Sequence, residues 1–439
     1  MSEPTLGMIW VAGVPVACAA TLATISAVGQ RSPERYSASG LTICLVLFLV
    51  GAMLRTTYAF VTPDYYAPDE QSHVNFVRYL AREWTLPVQK NLTGSPGNDW
   101  EYYQPPLYYT IVAAIKAALA SSHQTPNDVL IGRLVSILFW ATSTAVTART
   151  LLHIKAPEWQ RLFVVGLHAL LPSYITLSSS VNNDNLAILL FSCYILSEIA
   201  GPGSKMKTLR SSALIGCIFW TKLTAVVAVF FFLAVRISRI ERRDWRPTLL
   251  DVALGAAVAA AIWSPLVARN LMVYGSVTAE DIANVPRTWA TTAEGFLATM
   301  KYISVSFWAT AGVYNNIKGN FYFLGSVLTA LSTIGWIKYW RHKTKERTAP
   351  FFASESFPFY SALGVNFLLV IRFGLKYDQG QGRFLFPMLT AVGLFLSGGI
   401  AHLCKARRPK QSTLWLAMLG FILWATSFVF YAMSKAPRQ

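Results

Sequence analysis

Long, nearly uncharged apolar runs recur along this chain, and they decide what it can fold into before any motif is weighed. They lie near residues 38–60, 128–152, 162–180, 184–201, 248–268, 320–338, 355–373, 384–402 and 412–432. Crossing the hydrocarbon core of a bilayer takes about 20 apolar residues. Composition agrees, with 54% hydrophobic and 13% charged residues, where a soluble domain carries about 25% charged residues. The chain reads as an all-α polytopic membrane protein, with residues 1–439 forming a single integral membrane domain.

The net charge of +17 would suit a nucleic-acid partner if it formed one basic face. It does not. The positive residues cluster in short connectors: RSPER, HIKAPEWQR, KMKTLR, RISRIERRDWR, KYWRHKTKER and KARRPK. Lys and Arg concentrate in cytoplasmic loops and set the orientation of spans. The basic pI is therefore a topological signal, and the partner it implies is the lipid bilayer rather than nucleic acid. The apolar segment 6–28 has no basic residue before it and Arg31 and Arg35 after it. That pattern lacks the positive start of a signal peptide and reads as a retained helix with its N-terminus outside. Cys18, Cys44, Cys193, Cys217 and Cys404 fall in or beside apolar runs, which argues against a disulfide framework.

From that start, the polar segment 61–127 is external, and its apolar stretch 107–121 is short enough to suit an interfacial helix. Residues 211–234 are informative. As one span they would place RISRIERRDWR outside; split into a tight helical pair turning at Trp220, Thr221 and Lys222, they return it to the cytoplasm. Lys222 then shares the outer side with Asp69. A second external loop, 269–318, and the loop KYDQGQGR at 376–383 reach the same side.

One external stretch, YYAPDEQSHVNF at 65–76, concentrates ionisable groups. Pro68 suits the first position of a helix, with Asp69 and Glu70 in its first turn, where the helix dipole favours negative charge. His73 follows Asp69 on the same face. A good helix start alone explains such a pattern, but the same side also gathers Glu101, Asp184, Lys222, Arg269, Asp378 and Arg383. Ionisable residues at a membrane boundary are costly unless paired or functional. A carboxylate base facing fixed cations is the equipment for expelling an anionic leaving group. Asp184, in NNDN, is read as a helix cap. The Asp69–His73 pair has the spacing of two metal ligands, with no third ligand evident; a divalent cation is left open, and no other cofactor is indicated.

An ordered set of motifs carries a resemblance. Asp69-Glu70 in the first external loop, EYYQPPLYY at 101–109, SVNNDN at 180–185, TKLT at 221–224, Arg269-Asn270 with Tyr274-Gly275, SFW at 306–308 and QGRFLFP at 381–387 resemble the GT-C superfamily of membrane glycosyltransferases. Its members include the protein O-mannosyltransferases and the aminoarabinose transferase of lipid A, and this chain looks like a bacterial branch. The resemblance implies a GT-C-like bundle of about 11–13 transmembrane helices, with interfacial helices in the first large external loop. It implies a polyprenyl-phosphate-sugar donor and a glycan, lipid or protein acceptor, in a bacterial plasma membrane with the active site on the extracytoplasmic side.

Residue by residue, Asp69 matches the family's aspartate taken as the base, removing the acceptor hydroxyl's proton as its oxygen attacks the anomeric carbon. An inverting transfer needs only one such carboxylate. Glu70 is implied to orient the acceptor or a cation, and Glu101, ahead of the Pro-Pro pair, to bind sugar or acceptor. Lys222, Arg269 and Arg383 are the cations for the lipid phosphate; Asp378 and His73 complete the substrate-binding set. The chain is shorter than many protein O-mannosyltransferases and has one span before the usual first one. A transporter would instead place charged pairs deep in pseudo-symmetric halves; a non-catalytic lipid-sugar-binding subunit is the other rival.

Overall fold

The computed structural model describes residues 35–90, 99–119, 127–154, 156–200, 205–238, 245–279, 292–312, 321–343, 356–377, 379–404 and 411–436. Among them every regular element is a helix. In chain order these are α1 (Ala38–Val61), α2 (Glu70–Glu83), α3 (Leu107–Leu119), α4 (Asp128–His153), α5 (Glu158–Leu170), α6 (Pro172–Ser178), α7 (Asp184–Ile199) and α8 (Lys205–Phe219). Then come α9 (Val227–Ser238), α10 (Arg246–Tyr274), α11 (Ala293–Trp308), α12 (Phe321–Lys343), α13 (Phe357–Tyr377), α14 (Leu389–Cys404) and α15 (Gln411–Lys435). Among the described residues, seven stretches are long and apolar enough to cross a membrane, and the bent pair α5–α6 makes an eighth. The protein is thus an all-α polytopic membrane protein. The other spans expected from sequence are the shorter α7, α8 and α9, and the segment 6–28 lies outside the described residues.

Burial sorts the spans into centre and rim. The apolar window of α4 and that of Gly382–Cys404 are each 72% buried, whereas those of α10, α12 and α15 are 11%, 17% and 22% buried. The rim helices keep their leucines for lipid: Leu249, Leu324 and Leu419 are exposed. The break expected near Trp220 is present. α8 ends at Phe219 and a 3-10 turn, Leu223–Val226, leads into α9.

A second break shapes the centre. α5 and α6 meet at a 51° bend, because Pro172 has no N–H to donate to the carbonyl of His168, four residues earlier. In a bilayer, carbonyls freed this way need other donors. Arg55 supplies them from α1, donating to Ala169 O at 2.6 Å and His168 O at 3.2 Å, and Trp140 Nε1 adds a bond to His168 O at 2.9 Å. The guanidinium also bonds Ser178 Oγ at 2.6 Å and lies 3.8 Å from the centre of the Trp140 ring. Arg55 is fully buried, and its charge is held by carbonyls, a hydroxyl and an aromatic face.

α2 and α3 form a separate small core, with Val74, Phe76, Val77 and Leu80 packed on Tyr108, Tyr109 and Val112. Arg78 and Lys116 both reach Asp128 at the start of α4, at 2.6 and 2.8 Å. This unit carries the polar residues at the start of α2 and ahead of α3 to the bundle.

Candidate active site

Five chain segments, together with Phe373 of α13, converge on a cavity of about 270 Å³. The start of α2 contributes Asp69 and His73; the segment before α3 contributes Trp100, Glu101, Tyr103 and Gln104. The turn after α8 brings Lys222, and the stretch before α14 brings Gln379, Gln381 and Arg383. The opening of α7 adds Asn182.

The start of α2 differs from the sequence expectation in an instructive way. The helix begins at Glu70, not at Pro68, and Asp69 is its N-cap residue in the left-handed region, at φ 59°. Its side chain caps no helical N–H. Such a backbone costs a non-glycine residue roughly 1–3 kcal/mol and clusters at functional sites. Glu101, across the cavity, has φ 70°. Two of the cavity's carboxylates are therefore held in strained conformations, and Asp69 is left free of the helix end it was expected to stabilise.

The two cations are organised by a residue read from sequence as a cap. Asp184 accepts an ion pair from Lys222 Nζ at 2.7 Å and faces Arg383 Nε at 3.9 Å. Lys222 also lies 3.4 Å from Asn183 Oδ1. Asp69 stands 3.7 Å from Arg383 Nη2. Accessibility separates the acids: the Asp69 side chain is 38% exposed, that of Asp184 only 6%. Asp184 sets the cations in place; Asp69 faces the open space.

Glu70 requires a correction. It is fully buried and accepts a bidentate pair from Arg133, Nε at 2.9 Å and Nη2 at 2.8 Å, plus the N–H of Val181 at 3.1 Å. Arg133 further donates to the carbonyls of Ala59, Thr62 and Pro63. Glu70 thus does not line the cavity; through Val181 it positions the segment carrying Asn182 and Asp184. Arg269 is also placed differently from expectation. It does not line the cavity, because its guanidinium donates to the Pro87 carbonyl and packs 4.9 Å from the Tyr274 ring. Asp378 lies outside the described residues.

His73 is in the cavity wall, its Nδ1 2.8 Å from Tyr109 Oη. Burial, with Lys222 and Arg383 nearby, holds its imidazole well below the usual histidine range. It is a neutral wall residue near neutral pH, not a cation for phosphate. Among the described residues, no three His, Cys, Asp or Glu side chains gather as a metal site. The Asp69–His73 pair finds no third ligand among those residues.

The Glu101 carboxyl is pushed up to about 7, first by burial and then by the negative charge of Asp69, against the pull of Lys222, Gln104 and Arg383. Between its ordinary value of 4.5 and about 7, the folded state keeps a proton that the unfolded chain has released. That contribution to stability is fully present below the lower value and lost as pH rises through the upper one. Thermal unfolding in detergent should therefore fall more steeply across that window in the wild type than in Glu101→Gln. Parallel curves would contradict the shift.

Sequence reasoning missed the hub role of Asp184 and the amide and aromatic wall of Asn182, Gln104, Gln379 and Trp100. The available signal was SVNNDN itself: four consecutive polar residues from Asn182 to Asn185 between two apolar runs.

No family model and no curated protein matches the chain at the sequence level. Solved structures do. The Archaeoglobus fulgidus oligosaccharyltransferase in its apo form aligns with TM-score 0.55 at 12% identity over 91% of this chain and 57% of its own. ArnT of Cupriavidus metallidurans bound to undecaprenyl phosphate aligns with TM-score 0.50 at 15% identity, over 87% of this chain and 63% of its own. The mycobacterial arabinofuranosyltransferase AftD aligns with TM-score 0.51 at 15% identity, over 89% and 27%. The chain spans less than two thirds of the length of each. At these identities the likeness is one of fold: the chain is folded like these three proteins over most of its length.

Proposed function

We propose that the protein is an inverting glycosyltransferase that moves a sugar from a polyprenyl-phosphate carrier to an acceptor hydroxyl at the extracytoplasmic side of a bacterial plasma membrane. The observation that carries this reading is the pairing of one accessible carboxylate, Asp69, with two cations, Arg383 and Lys222, fixed around a single cavity by buried Asp184. Transfer needs both: a base for the attacking hydroxyl and positive charge where the phosphate leaves.

In this reading Asp69 accepts the hydroxyl proton as that oxygen bonds to the anomeric carbon. The carbon–oxygen bond to phosphate breaks on the opposite side, and its electron pair stays on the polyprenyl phosphate. Arg383 offers bidentate donors to that phosphate and Lys222 a compact charge. Asp184 keeps both cations extended toward the cavity. Below about pH 7 Glu101 is protonated and serves as a hydrogen-bond donor to a sugar hydroxyl rather than a second negative charge near the phosphate. The acceptor is a glycan, lipid or protein hydroxyl.

The test is transfer by purified protein from a panel of polyprenyl-phosphate sugars. Arg383→Gln should raise the donor KM about 10- to 100-fold, as expected for losing a charge-assisted contact of about 1.5–3 kcal/mol, with a smaller effect on the acceptor KM. Failure of every donor to bind or react would overturn the reading; donor binding without transfer would favour a non-catalytic lipid-sugar-binding subunit.

A further inference from the structure

A small crevice branches from the proposed donor site and has no role in the chemistry above. Its volume is about 30 Å³, and Asn182 and Arg383 line both it and the main cavity. Pro68, beside Asp69, forms part of its rim. Tyr58, Ser173, Thr176 and Thr310 bring hydroxyl groups to its walls, among the apolar Ala67, Leu177 and Ala311.

Most of these hydroxyls are committed. Thr176 Oγ1 donates to Thr310 O at 2.8 Å, and Ser173 Oγ accepts the Thr310 N–H at 2.8 Å and lies 3.2 Å from Thr310 Oγ1. Tyr58 differs. It is 2% exposed, and its hydroxyl has no hydrogen-bond partner among the described residues. A buried hydroxyl left unpaired costs roughly 1–3 kcal/mol, so a site that keeps one is prepared for a polar visitor. Gly312, also in the lining, sits at φ +80° where an added Cβ would meet Tyr66 Oη at 3.0 Å.

Size limits the visitor. A water-sized group needs about 10–15 Å³ by this measure, so the crevice takes about two such groups. That admits one carbon and one oxygen, and excludes a sugar ring. Arg383, the residue proposed to bind the leaving phosphate, lines the crevice as well as the main cavity. We propose that this crevice is a specificity subsite for the exocyclic hydroxymethyl group of the transferred sugar, with Tyr58 as the residue that binds its oxygen. The inference rests on the donor reading and deepens it: the sugar is a hexose with a free primary hydroxyl, not a pentose or a 6-deoxy sugar.

The experiment is equilibrium binding, without acceptor, of matched polyprenyl-phosphate sugars to the full-length protein in detergent. Glucosyl and xylosyl donors, mannosyl and lyxosyl donors, and galactosyl and arabinosyl donors differ within each pair only by the hydroxymethyl group. In at least one pair the hexose should bind about tenfold more tightly, as one well-placed hydrogen bond gives. Tyr58→Phe keeps the shape and the fold, since it removes only an unpaired hydroxyl, and should erase that gap while leaving pentose binding unchanged. Equal binding within every pair would mean that the crevice holds water only, and would overturn the proposal. A gap that survives Tyr58→Phe would do the same. Binding of no donor at all would instead overturn the glycosyltransferase reading beneath it.

Discussion

Asp69→Asn is expected to lower transfer about 10²- to 10⁴-fold at saturating donor, the range that a positioned general base contributes. The substitution is nearly isosteric and should spare the fold, because the Asp69 side chain caps no backbone group of α2. Its partner Arg383 remains tied to Asp184, so donor affinity should change far less than turnover. The variant has a second readout. The charge of Asp69 is one cause of the raised Glu101 titration, so its removal should shift that titration downward. Initial rates with a saturating donor decide the base assignment, and a variant that transfers as fast as the wild type would end it.

Glu70→Ala should produce the largest stability loss. The carboxylate and the Arg133 guanidinium are 0% and 3% exposed, paired at 2.8 Å. Removing one partner strands the other charge, at a cost of about 3–5 kcal/mol. The three carbonyls bound to Arg133 soften the loss without cancelling the charge. The pair as a whole is less valuable than either half suggests, since replacing both ions by apolar groups of similar volume is often neutral. Glu70→Met with Arg133→Met should therefore recover part of what Glu70→Ala loses. Denaturant unfolding in mixed micelles measures both; a loss below about 1 kcal/mol in the single variant would place Glu70 in a wetter setting than its burial indicates.

The legible and illegible parts of this protein divide along physical lines. Spans such as 38–60 and 412–432 announce themselves because the bilayer imposes a length and an apolar composition on each, one segment at a time. The break at Trp220 to Lys222 was legible because basic loops constrain orientation. The pairings were not. Nothing near Glu70 in sequence signals Arg133, which is 63 residues away, or distinguishes a buried structural carboxylate from its exposed neighbour Asp69. The sequence around Arg269 gives no sign of the Pro87 carbonyl that its guanidinium bonds. Asp184 resembled any acid at a helix start, and only the arrival of Lys222 and Arg383 from remote segments made it the hub.

Arg55 carries a consequence for how the protein is made. Its partners at Ala169 and Ser178 lie 114 and 123 residues further along the chain. At about 5–20 residues per second of synthesis, α1 waits on the order of ten seconds for those partners, its guanidinium bonded within the helix only to the Gly51 carbonyl. During that interval the insertion machinery, or lipid headgroups and water drawn inward, has to shelter the charge. The bend at Pro172 thus completes the surroundings of Arg55 only once the chain has been made as far as Ser178.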